Sequence, residues 1–435
     1  MHAALVARPG SCIRQLAQRS RAREVQFTRF LRNKAVTAEE IAAHAAERTA
    51  VRAVGRDVVV VQDTSEVSLG GRRAKANGYG PIGKGGALRG LMEHAVLAVD
   101  AGSGAVLGLL DTKVWNRTGG KVQHRRSRTT QQKESQRWLD GTKRAAEVLA
   151  AAASITGVSD RESDIYEHFA LRPQNMHLIV RACQNRRIET DEEAEFDLLF
   201  SHIDNLPEQG RFKADVPAAP GRKARTSELA VRFSQVVLRK PRHGAADLPD
   251  TVTLAMVDVR EISTPPDGKP IHWRLLTTLP ITNLAEARRA VDLYRMRWII
   301  EEYFHTQKTG GFNIEAADIG NPQVMIRFVA AVAVAAVTVM QLVKARDGTT
   351  DQNLLEAFEP SDEPILEAIS ARLEGKTARQ KNPHRKGSLA FAAWVIARLG
   401  GWDGYYGKPG PKTMRLGLED FQRIKYGTTL RLQDV

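Results

Sequence analysis

The apolar positions change period several times along the chain, and each change marks an element. VTAEEIAAHAAERTAV (36–51) spaces Ile41 and its alanines at helical intervals behind Thr37 and Glu40, a pair suited to a capping box. The residues before it also read as short helices. DVVVVQDTSEVSL (57–69) is a β-branched run of the kind that forms a buried strand. GYGPIGKGGALRG (78–90) reads as a mobile loop and lacks the G-x-x-x-x-G-K-[ST] spacing of a phosphate loop. LMEHAVLAVD (91–100) and AVLGLLDTKVW (105–115), either side of AGSG, predict a hairpin.

The pattern then alternates. A helix is expected over 133–154, with Trp138, Leu139, Ala145, Leu149 and Ala152 near one face. ITGVSD (155–160) is a short strand ending in an acid, RESDIYEHFALR (161–172) a helix, and HLIVRAC (177–183) a strand. Three strands followed by alternating elements predict an α/β fold, a mixed sheet with flanking helices. Residues 184–280 turn polar and proline-bearing, with strands such as 251–261 and 271–280, and read as a β-rich insertion. Helix resumes over 284–308 and dominates the rest, including 321–345 and 389–400.

Composition narrows the partners. Of 435 residues 42% are apolar, and the net charge is +14, which points to a polyanion. Residues 1–56 hold 11 Lys/Arg against 4 Glu, and the runs 116–133 and 376–387 contain no acid. Three such stretches favour phosphate contacts over solvated faces. The run Phe328–Val343 is short for a membrane span and predicts a buried helix, so no membrane is expected. Arg8 and Arg14 interrupt any secretory signal. The two cysteines, Cys12 and Cys183, lie in no paired motif, which fits a reducing cytoplasm.

YRMRWIIEEYFHTQK (294–308) carries the candidate chemistry. At about 100° per residue, Tyr294, Arg297, Glu301, His305 and Lys308 share one helical face, with Trp298 near it. Met296, Ile299, Ile300, Tyr303 and Phe304 form an apolar stripe opposite. Glu302 falls about 80° from Tyr294, outside the polar cluster. The plain alternative is an amphipathic helix with a solvated polar side. Two further acids follow strand-like runs, Asp63 and Asp160. Each has an ordinary reading too, Asp63 as the start of a turn and Asp160 as a helix cap. Together with Glu301 they form a set of hard oxygen ligands suited to Mg²⁺, and no His/Cys cluster competes for zinc. Two such ions about 4 Å apart stabilise both oxygens of a phosphodiester exchange.

The spacing Tyr294-x2-Arg297-x3-Glu301-x6-Lys308 resembles the Y-R-E-K signature of bacterial insertion-sequence transposases of the DDE type. QDTSEVS around Asp63 and SDRESDIYE around Asp160 resemble the two aspartate motifs of that branch, and 396–421 resembles its C-terminal part. The likeness runs in order from about residue 25 to 425. It implies a ribonuclease-H-like core holding Mg²⁺ (or Mn²⁺), as two ions, on Asp63, Asp160 and Glu301. Tyr294, Arg297, Lys308, His305, Arg161 and Arg181 would contact DNA, and Trp273 would stack on a flipped base. The implied activity is cleavage at transposon ends and strand transfer into target DNA by a homodimer on double-stranded DNA. The alternatives are an idle DNA-binding remnant that inhibits transposition and a stand-alone nuclease. The expected organisation is a basic, shortened DNA-binding region (1–56), a first core segment (57–183), the insertion (184–280), a core segment with the Glu-bearing helix (281–345), and a helical C-terminal region suited to dimerisation (346–435).

Overall fold

The computed structural model describes residues 1–8, 10, 12–70, 72–118, 133–189, 196–216, 223–242, 244–263, 265 and 270–433. Most of the basic run 116–133 lies outside these. In chain order the first elements are α1 (His2–Ala7), α2 (Ile13–Leu16), α3 (Arg21–Arg32), α4 (Ala38–Ala53), β1 (Asp57–Ser68), α5 (Arg72–Ala76), β2 (Gly80–Ile82), β3 (Leu88–Asp100) and β4 (Val106–Trp115). Next come α6 (Gln136–Val148), β5 (Ser154–Ser159), α7 (Tyr166–Ala170), β6 (His177–Arg181), β7 (Arg187–Glu189), β8 (Phe196–Leu198), α8 (Leu199–Asn205), β9 (Gly210–Val216), β10 (Arg225–Arg239), β11 (Thr251–Glu261) and β12 (His272–Thr277). The chain ends with α9 (Leu284–Arg295), α10 (Trp298–Gln307), α11 (Pro322–Ala345), α12 (Glu363–Leu373), α13 (Leu389–Leu399) and α14 (Pro411–Gln433). The class is mixed α/β, as the alternating pattern predicts.

The elements group into two compact units. Unit 1 holds Met1–Val58, Asp63–Lys121 and Trp298–Val435, and unit 2 holds Val59–Gln62 and Val122–Arg297. In unit 1, β3 and β4 form the predicted antiparallel hairpin, and β2 pairs with the start of β3. α4 begins with the capping box that the sequence suggests: Thr37 Oγ1 accepts from Glu40 N, and Glu40 Oε2 accepts from Thr37 N, both at 3.1 Å. It lies close against β4, where a Cβ on Gly108 would sit 2.1 Å from Thr49 Oγ1. α11 starts on Asn321, whose side chain accepts from Gln323 N and Val324 N, and its alanines and most of its valines are buried. It is long and apolar enough to cross a membrane, yet 83% of its apolar window is buried inside the protein. The expected buried helix is there.

In unit 2 the strands run β1 (through Val59–Gln62), β5, β6, β12, β11, β10, β7, β8, and β9 also pairs with β10. β5 and β6 are parallel, whereas β6, β12, β11 and β10 pair antiparallel in turn. The insertion is β-rich as expected, but its longest strand is β10, which the polar composition of 184–270 concealed.

Four expectations need correction. The segment 78–90 is not a loop throughout: β2 occupies Gly80–Ile82 and β3 starts at Leu88. The helix over 133–154 is confined to Gln136–Val148. Residues 161–172 do not form one helix. A 3-10 turn over Arg161–Ser163 precedes the short α7, because Asp164 turns its side chain onto β6-following backbone instead of extending a helix. The helix over 284–308 breaks at Met296–Arg297, where both amides bond to the carbonyl three residues back. That break coincides with the passage from unit 2 to unit 1.

Candidate functional site

Unit 1 supplies Asp63, Glu301, His305 and Lys308. Asp63 is not in a turn. It stands inside β1, at the first half-buried position after five buried ones, and its Oδ1 accepts from Thr64 N at 2.7 Å. Ser65, two residues on, shares its face of the strand. Lys308 Nζ donates to Ser65 Oγ at 2.8 Å and lies 3.8 Å from Glu315 Oε1. Glu315 in turn accepts from Ser68 N at 2.9 Å. Glu301 and Lys308 are seven residues apart on α10 and its end, hence on one side of it. The lysine therefore ties the end of α10 to the face of β1 that carries Asp63.

The two adjacent glutamates have different surroundings. Glu302 Oε2 accepts from Lys344 Nζ of α11 at 2.7 Å. Glu301 is exposed in the first turn of α10. Ile299, Ile300, Tyr303 and Phe304 are buried, so the predicted apolar stripe survives within α10. His305 is exposed and meets Thr309 Oγ1 at 3.1 Å through Nδ1. Sequence reasoning missed Glu93. It is buried in β3, beneath the same helix, with Oε1 accepting from Gln307 Nε2 at 2.9 Å and from Thr112 Oγ1 at 3.4 Å. Burial pushes its pKa up to about 7 against the pull of Gln307, Lys308 and Thr112. The signal was present: an acid in the interior of the apolar run LMEHAVLAVD.

Unit 2 brings together Asp160, Arg161, Arg181, Tyr294 and Arg297. Tyr294 is buried on α9; burial raises its hydroxyl pKa, Arg297 and Arg181 pull it back, and Asp160 adds to the rise. Burial lowers the Arg181 pKa, Tyr294 opposes this, and Arg161 and Arg297 add to the lowering. Three guanidinium groups within mutual electrostatic reach, beside a phenol and a carboxylate, form a natural anion site. Arg181 is also fixed by donating from Nη2 to His272 O at 3.1 Å. Trp273 of β12 is half-buried and sits edge-on to Tyr294, with ring centroids 6.0 Å apart.

Asp160 follows β5 and caps the 3-10 turn, its Oδ1 accepting from Glu162 N at 2.9 Å. The capping reading is thus realised, and it leaves the position at a strand end unchanged. A directed polar chain holds that turn. Gln62 Nε2 donates to Thr142 Oγ1 at 2.9 Å, and Thr142 Oγ1 meets His168 Nε2 at 2.8 Å. His168 Nδ1 lies 3.3 Å from Ser163 O, and Ser163 Oγ donates to Asp160 O at 2.9 Å. With the Gln62 amide as donor, Thr142 gives its proton to Nε2, which assigns the proton on His168 to Nδ1. Burial drives the His168 pKa down to about 4, so the ring stays neutral. A second staple is the buried Asp164. Its Oδ1 pairs with Arg186 Nη2 at 2.7 Å, and its Oδ2 accepts from Cys183 N and Gln184 N at 2.7 and 2.9 Å.

Of the three carboxylates, Asp63 and Glu301 belong to unit 1 and Asp160 to unit 2. All offer hard oxygen donors of the kind that suit a hexacoordinate divalent cation. Among the described residues no group of three or more His, Cys, Asp or Glu side chains is gathered to hold a metal ion. No protein-family model matches the chain.

Proposed function

We propose that this chain is a DDE-type DNA transposase with a ribonuclease-H-like core, cutting at transposon ends and transferring the strand into target DNA. The observation that carries the reading is the Lys308–Ser65 bond, which ties the end of the helix that bears Glu301 to the strand that bears Asp63. The arginine and tyrosine cluster around Asp160 supports it, because a scissile phosphate needs cations beside the carboxylates. A net charge of +14 and the basic run 376–387 suit a DNA partner.

In this reading Asp63, Asp160 and Glu301 would hold Mg²⁺. When bound, the ions lower the pKa of water and neutralise charge on the phosphoryl oxygens. The remaining work falls to the chain. Arg161, Arg181 and Arg297 grip the phosphate beside the cleaved bond, with the Tyr294 hydroxyl between them. Lys308 orients the helix that bears Glu301, and Trp273 offers a ring edge-packed on Tyr294 to an extruded base. Two copies on paired DNA ends are the expected assembly.

The test is incubation of the purified chain with Mg²⁺ or Mn²⁺ and DNA carrying the element's own ends. Paired cuts with joined products support the proposal. Binding without cuts supports an inhibitory DNA-binding protein, and sequence-indifferent cutting without joining supports a stand-alone nuclease; either result overturns it.

A further inference from the structure

Far along the chain from the carboxylates, unit 1 carries a surface that the proposed chemistry does not use. The segment 376–387 contains Lys376, Arg379, Lys381, Arg385 and Lys386, with no acid. Lys386 pairs with Glu367 at 2.7 Å. Among the described residues no carboxylate pairs with Lys376, Arg379, Lys381 or Arg385, and all four are exposed. Packed against this segment is the loop after α13, GGWDGYYGKPG. Arg379 lies over the Tyr405 ring at 5.8 Å, and Thr377 Oγ1 is 3.4 Å from the Tyr405 hydroxyl. Unpaired cations and an aromatic loop thus share one face.

The loop is held in shape. Asp403 Oδ1 accepts from Tyr405 N at 2.8 Å and from Tyr406 N at 3.2 Å. Trp402 Nε1 donates to Gly407 O at 3.1 Å, closing the turn. Gly401 and Gly404, both at φ 88°, supply backbone conformations that other residues rarely adopt. Arg398 Nη1 donates to Trp402 O at 3.2 Å, and Arg346 Nη1 to Pro409 O at 2.7 Å, tying both ends of the loop to neighbouring helices. The result is a fixed loop whose Tyr406 side is 83% exposed. A tyrosine displayed to solvent, next in the loop to the Tyr405 ring that Arg379 covers, combines with the cations of 376–387 the two ingredients of a single-strand site: a stacking face and a phosphate track.

We propose that the surface formed by 376–387 and 402–408 binds single-stranded DNA, with an unpaired base stacked on Tyr406 and the backbone following Arg379, Lys381 and Arg385. The choice of DNA over RNA rests on the transposase reading; the stacking and charge argument does not. A base in duplex DNA presents no free face to a tyrosine, whereas a displaced strand does. An acidic peptide satisfies the cations and leaves the ring unused.

The test uses the full chain and an oligothymidylate carrying 5-iodouracil, whose irradiation links a stacked aromatic ring. The expected result is a cross-link on the peptide containing Tyr406, lost in Tyr406→Ala and kept in Tyr406→Phe. Fluorescence anisotropy should show Kd for the single strand rising about tenfold in Tyr406→Ala, with duplex binding unchanged. In the variant Arg379→Ala, Lys381→Ala, Arg385→Ala the slope of log K against log salt should flatten by about 2. Cross-links confined to other peptides, or equal loss on duplex and single strand, overturn the proposal. So does tighter binding of an oligoribonucleotide or poly-glutamate at the same residues. Glu301→Ala should keep the cross-link, so failure of the cleavage reading and failure of this site are seen separately.

Discussion

The Glu93 carboxyl and the Gln307 carboxamide meet 2.9 Å apart inside unit 1, joining β3 to the end of the helix that bears Glu301. Burial holds the acid neutral up to a pKa of about 7. In the unfolded chain the same group titrates near the ordinary glutamate value of 4.5, so the folded state binds more protons between these values. Its contribution is complete below about pH 4.5 and is lost as pH rises to about 7, after which it is flat. Thermal melts should therefore show stability falling across that window by about 3 kcal/mol. Glu93→Gln keeps the size and the amide contact without the charge. It should remove this slope and raise Tm at pH 8, and an unchanged slope would refute the assignment.

Glu301 and Glu302 separate by partner. Glu302→Ala removes the partly exposed pair with Lys344 and should cost no more than about 1 kcal/mol, with cleavage retained. Glu301→Ala, at an exposed position, should keep the fold and abolish Mg²⁺-dependent cleavage. Urea melts beside a plasmid-cleavage assay read both effects, and cleavage by the Glu301 variant sinks the carboxylate assignment.

Thr142 is the middle of the chain that runs from Gln62 through His168 to the Asp160 turn. Thr142→Val preserves shape and strands two buried polar partners, at a cost of about 2–3 kcal/mol. The same chain sets an acid limit. His168 is depressed to about 4 from the ordinary histidine value of 6.5, so its stabilisation is full above about pH 6.5 and is lost as pH falls towards 4. Imidazole NMR shifts check this directly: a His168 signal titrating near 6.5 in the folded protein contradicts it.

The buried Asp164 neutralises the half-buried Arg186 and accepts two backbone amides after β6. Asp164→Ala leaves that guanidinium uncompensated and should destabilise by about 3–5 kcal/mol in urea unfolding. A loss under about 1 kcal/mol would mean that water replaces the pair.

Much of the fold was legible because it rests on local patterns. The Thr37–Glu40 box, the β-branched run of β1 and the β3/β4 hairpin are each decided by neighbours in sequence. The break at Met296–Arg297 was not legible, since nothing in LYRMRWIIE departs from helical spacing. A continuous wheel from Tyr294 to Lys308 therefore joined residues of two helices. Its portion from Glu301 to Lys308 holds, because it lies in α10 and in Lys308, whose amide bonds to Phe304 O in the last turn. Tyr294 and Arg297 instead join Arg181 near Asp160, a grouping made by tertiary contacts. Glu93, Thr142 and His168 escaped notice for the same reason, since their pairing partners lie far away in sequence. β10 was hidden by the exposed positions that alternate with its buried ones.

β1 is divided between both units, and unit 1 is closed by residues from Trp298 onward. During synthesis, unit 2 has all of its chain once Arg297 leaves the ribosome, whereas unit 1 waits for the last third of the protein. A nascent chain thus displays Asp63 and Asp160 long before Glu301 is made. A chain shorter than 301 residues therefore holds Asp63 and Asp160 without Glu301, and unit 1 still lacks the helices that close it.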